Sequence, residues 1–415
     1  MAGEPEGIEE TFVSVERPPH VDRRLVVDFD YMAPIAPGED NYTILRKLQE
    51  LGPDIMWTPH NGGHWIVLRA EDIRWVQENY QIFSHEVFII PRGSVNMIWP
   101  PLTVDPPNHA RYRAIINPFL TPGKVAGMVE KARAITVELI EGIKAKGRCE
   151  FVSEFARILP VVMFLGIVDF PVEMREQFLA WEQAFQRATD QQSKDRAAGP
   201  IREYLLGVID ERYRNPGNDL MSAIAQWRDN PRFRSEDEII GMAFLLFLGG
   251  LDTVASMLTF CARHLASHPE DRRRLIQDPD TVPRAVEEFL RRYGLSNTGR
   301  LILEDVERKG ATMKRGEMIM VPIGCSGIDE RLYPNALDVD FDRPGIIAPN
   351  GHPTHNTFGN GPHKCVGAPL ARAEVRIFLE EWLTRIPDFH LDPDAPVTVH
   401  MGPVPGIDRL ELVVG

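Results

Sequence analysis

The stretch from Ile239 to Pro269, IIGMAFLLFLGGLDTVASMLTFCARHLASHP, constrains the fold more than any other part of the 415-residue chain. It is apolar nearly all round, so as a helix it has no face to offer water and must cross the core. Ser235 and Glu238 form a capping-box pattern at its start, and His268-Pro269 stops it after about thirty residues. Its longest uncharged run, Ile239 to Leu251, has 13 residues, short of the roughly 18 that suggest a membrane span. Two mid-helix glycines, Gly249 and Gly250, each cost about 1 kcal/mol relative to alanine, so something is expected to approach the backbone there. Asp252 and Thr253 follow in the middle of an apolar helix and need partners or water. Two readings stand side by side at this point: a kink whose threonine bonds its own i−4 carbonyl, or a polar site built into the core.

The remainder arranges itself around that helix. An irregular, proline-rich arm runs to about Pro37, and a helix follows near Asn41 to Leu51. GGHWIVL (62–68) reads as a strand, and AEDIRWVQENY returns to helical spacing. Helical patterns dominate from about Arg111 to Phe289, with breaks expected at Pro122, Pro160, Pro171, Pro216 and Pro231. A β-like region spans 299–323, and a helix from near Gly367 ends at Pro387, burying Leu370, Val375, Phe378, Leu379 and Trp382. No internal repeat or linker divides the chain, so 1–415 reads as a single, mainly α domain with a smaller β-rich region, 1–37 being its arm.

Composition narrows the class. A formal net charge of -14 argues against nucleic-acid or anionic-membrane partners. The first thirty residues lack an apolar core like that of a signal peptide, and their acidity is wrong for a mitochondrial presequence, so a soluble cytoplasmic protein is expected. Four cysteines, Cys149, Cys261, Cys325 and Cys365, show neither CxxC nor metal-finger spacing.

Cys365 alone has an unusual setting, FGNGPHKCVG (358–367), where glycines and a basic pair lead directly into a helix. A helix N-terminus presents unpaired N–H groups and about half a positive charge, which lowers a thiol pKa and favours the thiolate as a metal ligand. His363 beside it could suggest zinc, but no further Cys or His lies at zinc-site spacing.

The pattern Phe358, Gly361, Cys365, Gly367, extended by Leu370, Ala371, Arg372 and Glu374, resembles the heme-binding loop of the cytochrome P-450 family of heme-thiolate monooxygenases. The resemblance implies that fold, with the long central helix over heme b, and Cys365 as the iron ligand. Glu288 and Arg291 in AVEEFLRRYG resemble the family's E-x-x-R pair, joined by an arginine that matches Arg343, with a structural role. LGGLDTVAS resembles the oxygen-activation motif, which makes Gly249 a heme neighbour and gives Asp252 and Thr253 catalytic roles in proton delivery. DPPNHARYR implies that His109 and Arg113 meet heme propionates, as do Arg300 and His363 by likeness to the camphor-hydroxylase branch, while Phe358 and Gly367 flank the ligand.

Likeness to that branch runs in order through NGGHWIVLR, FIIPR, DPPNHARYR, LGGLDTV, EEFLRRY, CSGIDER and EEWLTRIPDF. It implies a pocket of Ile89, Met97, Trp99, Leu245, Leu248, Ser296 and Val404. Where the branch places a tyrosine that hydrogen-bonds camphor, this chain has Met97, with Trp99 expected as a large apolar wall. A small, weakly polar substrate is therefore expected, a terpenoid or an ionone-like norisoprenoid. Burying about 300 Å² of it would gain roughly 7 kcal/mol at about 25 cal/mol per Å². RATDQQSKD (187–195) reads either as a lid loop, with Arg187 facing Asp252, or as a solvated surface loop.

No flavin fingerprint or reductase segment is visible, so electrons are expected from a separate 2Fe-2S ferredoxin with its reductase, docking near Arg113 and Lys364. Two rivals remain: a heme-thiolate peroxygenase that uses peroxide without a redox partner, and a non-catalytic heme sensor. The acid–alcohol pair weighs against the first and the lack of a visible output domain against the second.

Overall fold

The apolar stretch forms two helical segments, Glu236–Gly249 and Asp252–Ser267, joined through Gly250 and Leu251. The computed structural model describes residues 14–36, 38–94, 97–186 and 191–415. The join falls at the glycine pair, where a Cβ on either residue would meet nothing closer than 3.8 Å outside the helix backbone, so open space rather than a tight protein contact faces it. By length and composition Glu236–Ser267 could cross a membrane, but 61% of its apolar window is buried within the protein, as befits a core helix.

The expected capping box does not form. Ser235 makes no side-chain cap, because the Glu238 carboxylate is taken by Trp227 Nε1 at 3.0 Å and by Arg111 at 3.7 Å. Those contacts tie the start of the central helix to the helix His109–Ile116. Pro160 is no break either: it lies in the first turn of Ile158–Val168, where a helix has no use for the missing N–H. Pro122 opens the helix Pro122–Lys146 for the same reason.

That helix packs along Ala368–Arg385, whose buried face carries the five apolar residues expected from sequence. Phe151, Phe155, Phe378 and Trp382 interlock there, with Phe151 and Trp382 ring centroids 5.1 Å apart. Burial of each phenylalanine contributes roughly 1.5–3 kcal/mol.

The β-rich portion is a five-stranded sheet in the order Ile55–Thr58, His64–Val67, Met318–Pro322, Asn297–Ile302, Phe83–Ser84. His64–Val67 pairs parallel with Met318–Pro322, while Asn297–Ile302 runs antiparallel to it with Arg300 opposite Ile319. A hairpin of Thr398–His400 and Gly406–Arg409 packs against the second half of the central helix. Of the polar run at 187–195, residues 187–190, and with them the Arg187 contact, lie outside the described residues. Gln191 already begins the helix Gln191–Arg214, so the remainder of the run is helix and not loop.

Candidate functional site

The loop before Ala368–Arg385 is folded on itself. Cys365 N–H donates to the Phe358 carbonyl at 2.9 Å, and Gly359 and Gly361 adopt left-handed φ of 71° and 67°. At Gly361 a Cβ would lie 2.6 Å from the Gln77 carbonyl oxygen, so only glycine fits. The Gln77 side chain accepts from Asn356 at 3.2 Å and Asn360 at 3.1 Å, which fixes the loop to the helix Ala70–Glu78.

Cys149, Cys261 and Cys325 are buried, and Cys365 alone has accessible surface. Its sulfur is nonetheless set deep among protein atoms, and burial raises the thiol pKa, against the lowering effects of the Gly367 and Ala368 N–H groups, Arg113 and Arg372. The expectation of a lowered thiol is thus reversed, because desolvation outweighs the helix terminus. A coordinated metal cation would favour the thiolate against that burial.

Four basic groups converge beside the loop. His363 lies 4.4 Å from His85 and 4.5 Å from His109 between ring centroids. Arg300 is buried, and donates only to Thr298 Oγ1 at 3.0 Å and the Gly299 carbonyl at 2.7 Å. No carboxylate among the described residues pairs with it, and burial pulls its pKa down to about 9. Desolvation and mutual repulsion hold His109 at about 4 and His85 well below its ordinary value. Asp105 alone answers them, 3.1 Å from His363. The group is short of negative charge and suits carboxylates of a bound ligand. His85, whose buried Nδ1 has no partner, was not legible in sequence: only the fold brings it to His363. Arg113 sits half-buried, donating to the Lys364 carbonyl at 2.9 Å, and so holds the cysteine loop directly.

Glu288 and Arg291 form a fully buried pair, with Nη2 to Oε1 at 2.7 Å and Nε to Oε2 at 2.8 Å. Arg343 Nε joins them at 2.9 Å from Glu288 Oε1. A second brace, not anticipated, runs from the neighbouring Glu287 to His355 at 2.8 Å and Arg372 at 2.7 Å. Arg372 in turn lies 4.7 Å over the Phe358 ring, so the helix Val282–Arg292 holds the cysteine loop from its side. Glu374 is fully buried with both carboxyl oxygens unpartnered, and desolvation raises its pKa well above the ordinary carboxylate value.

On the opposite side, Thr253 Oγ1 donates to the Gly249 carbonyl at 3.3 Å, the i−4 bond of the plainer reading, while the threonine keeps accessible surface. Ile89, Met97, Leu245, Leu248, Ser296 and Val404 are all partly accessible. Ser296 holds a strained φ of 102°. Trp99 is not the expected wall: it is 9% exposed, packed 5.3 Å from Phe88 and 6.0 Å from Phe244. Its loop is drawn in because Gly241 leaves room, a Cβ there falling 2.1 Å from the Ile98 carbonyl oxygen. A cleft of about 210 Å³ opens alongside, lined by Phe88, Ile89, Arg92, Met97 and Thr103 among others.

The chain is similar to known proteins. A family model described as Cytochrome P450 matches residues 183–399. The probable cytochrome P450 127A1 of Sinorhizobium fredii is 31% identical over 414 residues, covering 95% of this chain and 96% of the relative. The mycinamicin IV hydroxylase/epoxidase of Micromonospora griseorubida is 32% identical over 355 residues, or 83% of this chain and 88% of that one. The crystal structure of CYP101J2 superposes with a TM-score of 0.87 at 33% identity, covering 97% of this chain and all of that one.

Proposed function

The chain belongs to the cytochrome P450 family and is a heme-thiolate monooxygenase, and from that premise we propose that it hydroxylates a C–H bond of a small apolar terpenoid or ionone-like norisoprenoid, using dioxygen and two electrons from a ferredoxin. Heme b is the family's cofactor, and the residues present fit it: a cysteine with accessible surface set at a helix N-terminus, and a basic cluster short of carboxylates. Cys365 would hold the iron, and His109, His363, Arg300 and Arg113, with His85, would hold the propionates. When bound, heme supplies the activation of dioxygen that puts one oxygen atom into the substrate and releases the other as water.

The chain's own residues do the rest. Asp252 and Thr253 pass inward the two protons that the water product needs, the Thr253 hydroxyl leaving the Gly249 carbonyl to do so. Ile89, Met97, Leu245, Leu248 and Val404 exclude water and place the substrate, with Gly249 leaving its side open.

One observation supports the substrate class: the accessible surface at Ile89, Met97, Leu245, Leu248 and Val404 is aliphatic or thioether, with polar groups confined to Ser296, Thr253 and the cleft mouth at Arg92 and Thr103. Such a lining rewards apolar bulk and gives little orientation to a ketone. Adding members of a terpenoid panel to the ferric protein is expected to produce the low-to-high spin shift with ionones or monoterpenoids more strongly than with camphor. A shift confined to large polar macrolides would overturn the reading.

Electron supply by a 2Fe-2S ferredoxin, in a cytoplasmic setting, follows from the likeness to the camphor-hydroxylase branch. Exposed Lys364, held by Arg113, marks the proximal landing face. Arg113→Ala is expected to slow reduction by ferredoxin and flatten its salt dependence; unchanged kinetics would refute this docking face.

A further inference from the structure

His400 ends the strand Thr398–His400, opposite Gly406 on its partner. Both of its ring nitrogens face acceptors. Nδ1 is 2.9 Å from Asp408 Oδ1, off the line of an ideal hydrogen bond but in ion-pair range, and Nε2 is 3.1 Å from the Val404 carbonyl oxygen. A neutral imidazole has one N–H and one lone pair, so one nitrogen would point a lone pair at an oxygen; the imidazolium satisfies both. Gly406 shows what lies beneath the ring: a Cβ there would fall 2.7 Å from His400 Cε1 and 2.8 Å from Ser256 Oγ. Ser256 is four residues beyond Asp252 on one helix, and i, i+4 positions share a face. The hairpin therefore lays His400 along the helix face that carries Asp252.

We propose that His400 is a positioning residue for proton delivery, a cation laid along the helix face of Asp252 and coupled to that carboxylate, while its Nε2 pins the loop bearing Val404. This rests on Asp252 and Thr253 being the proton-delivery pair. The groups around the ring are Asp408 from the paired strand, Ser256 from the central helix and the Val404 carbonyl from the hairpin tip, with Asp252, one turn before Ser256, acting on it electrostatically. Burial lowers the His400 pKa, but Asp408, then Asp252 and the carbonyl, raise it by more. A raised folded pKa means that the charge's contribution is complete below the unfolded histidine value of about 6.5 and is lost as pH climbs through the folded one. As that happens the favourable field of the imidazolium at Asp252 is removed, and coupling of reductant to product falls.

The interaction is reciprocal, which separates it from activity. In the carbonyl-ferrous holoenzyme with carbon-labelled histidine, the NMR titration of His400 should fall on Asp408→Asn and, by a smaller amount, on Asp252→Asn. No movement on Asp252→Asn overturns the proposal. Product formed per reductant consumed, followed from about pH 6 to about pH 9, should drop on His400→Gln at the lower end of that range, where wild type is fully coupled. His400→Lys, which keeps a cation, should restore coupling and carry it to higher pH; equal behaviour of the two variants also overturns it. If Asp252→Asn and Thr253→Ala leave coupling intact while the titration still shifts, the delivery reading fails and the electrostatic link stands.

Discussion

Arg291→Ala is expected to destabilise the protein by about 3–5 kcal/mol, the effect of removing one partner from a buried ion pair. Arg291 has no exposed side-chain surface. Besides both oxygens of Glu288 it donates to the carbonyls of Gly327, Ala336 at 2.7 Å and Asp338 at 2.8 Å. Alanine leaves the Gly327 and Ala336 carbonyls without this donor, leaves the Asp338 carbonyl to Arg343 at 2.9 Å, and leaves Glu288 to Arg343 and the Asp340 N–H. Gly327 is part of the same arrangement, since a Cβ there would fall 1.9 Å from the Arg291 carbonyl oxygen. Urea unfolding should show a lowered midpoint, with poor heme retention because the same helix holds the cysteine loop through Glu287. Arg291→Lys should rescue little, because a point ammonium cannot reproduce a fork that serves a carboxylate and three carbonyls. An unchanged midpoint for the alanine variant would show that the brace is not what holds the helix.

Cys365→Ser should do the converse, keeping the fold while abolishing function. The hydroxyl is nearly isosteric and can still accept from the Gly367 and Ala368 N–H groups, so the loop and its ties to Gln77 and Arg113 are retained. A serine hydroxyl is a harder and far less readily ionised donor than a thiol. Monooxygenation is expected to fall by on the order of 10³-fold or more, equivalent to about 4 kcal/mol of transition-state stabilisation. The carbonyl-ferrous spectrum should lose the red-shifted band of a thiolate ligand. A serine variant that kept the band would remove Cys365 from the metal. Between them, the two substitutions separate what holds the site from what works in it.

What the sequence discloses follows the range of each interaction. The cysteine loop is legible because its glycines, its cysteine and its helix are contiguous. The pairing of Glu288 with Arg291 is legible because three residues is less than one helical turn. Arg343 was found through a resemblance, and nothing local announces it. Glu287 is not distinguished from Glu288 by its local sequence, since its partners His355 and Arg372 lie 68 and 85 residues away. His85 and His400 have nothing in their local sequence to mark them until the fold sets their neighbours. Two local inferences failed for one reason: Ser235 and Glu238 had the right spacing, and Cys365 the right helix terminus, but tertiary partners and desolvation outweighed both. Trp99 failed in another way, because a large apolar residue near a pocket can as well stand behind its wall as form it.

The clamp at Gln77 bears on the order in which this protein can be made. Its side chain and carbonyl hold Asn356, Asn360 and Gly361, residues 279 or more positions later in the chain. Contacts of such long range are slow to close, because the intervening chain must first be ordered. On a ribosome that adds about 5–20 residues each second, the basic histidines near the N-terminus emerge well before the cysteine loop exists. The residues that would hold the cofactor are therefore united only once the loop around Cys365 has been made, so heme capture is expected to follow the early helices and not to template them.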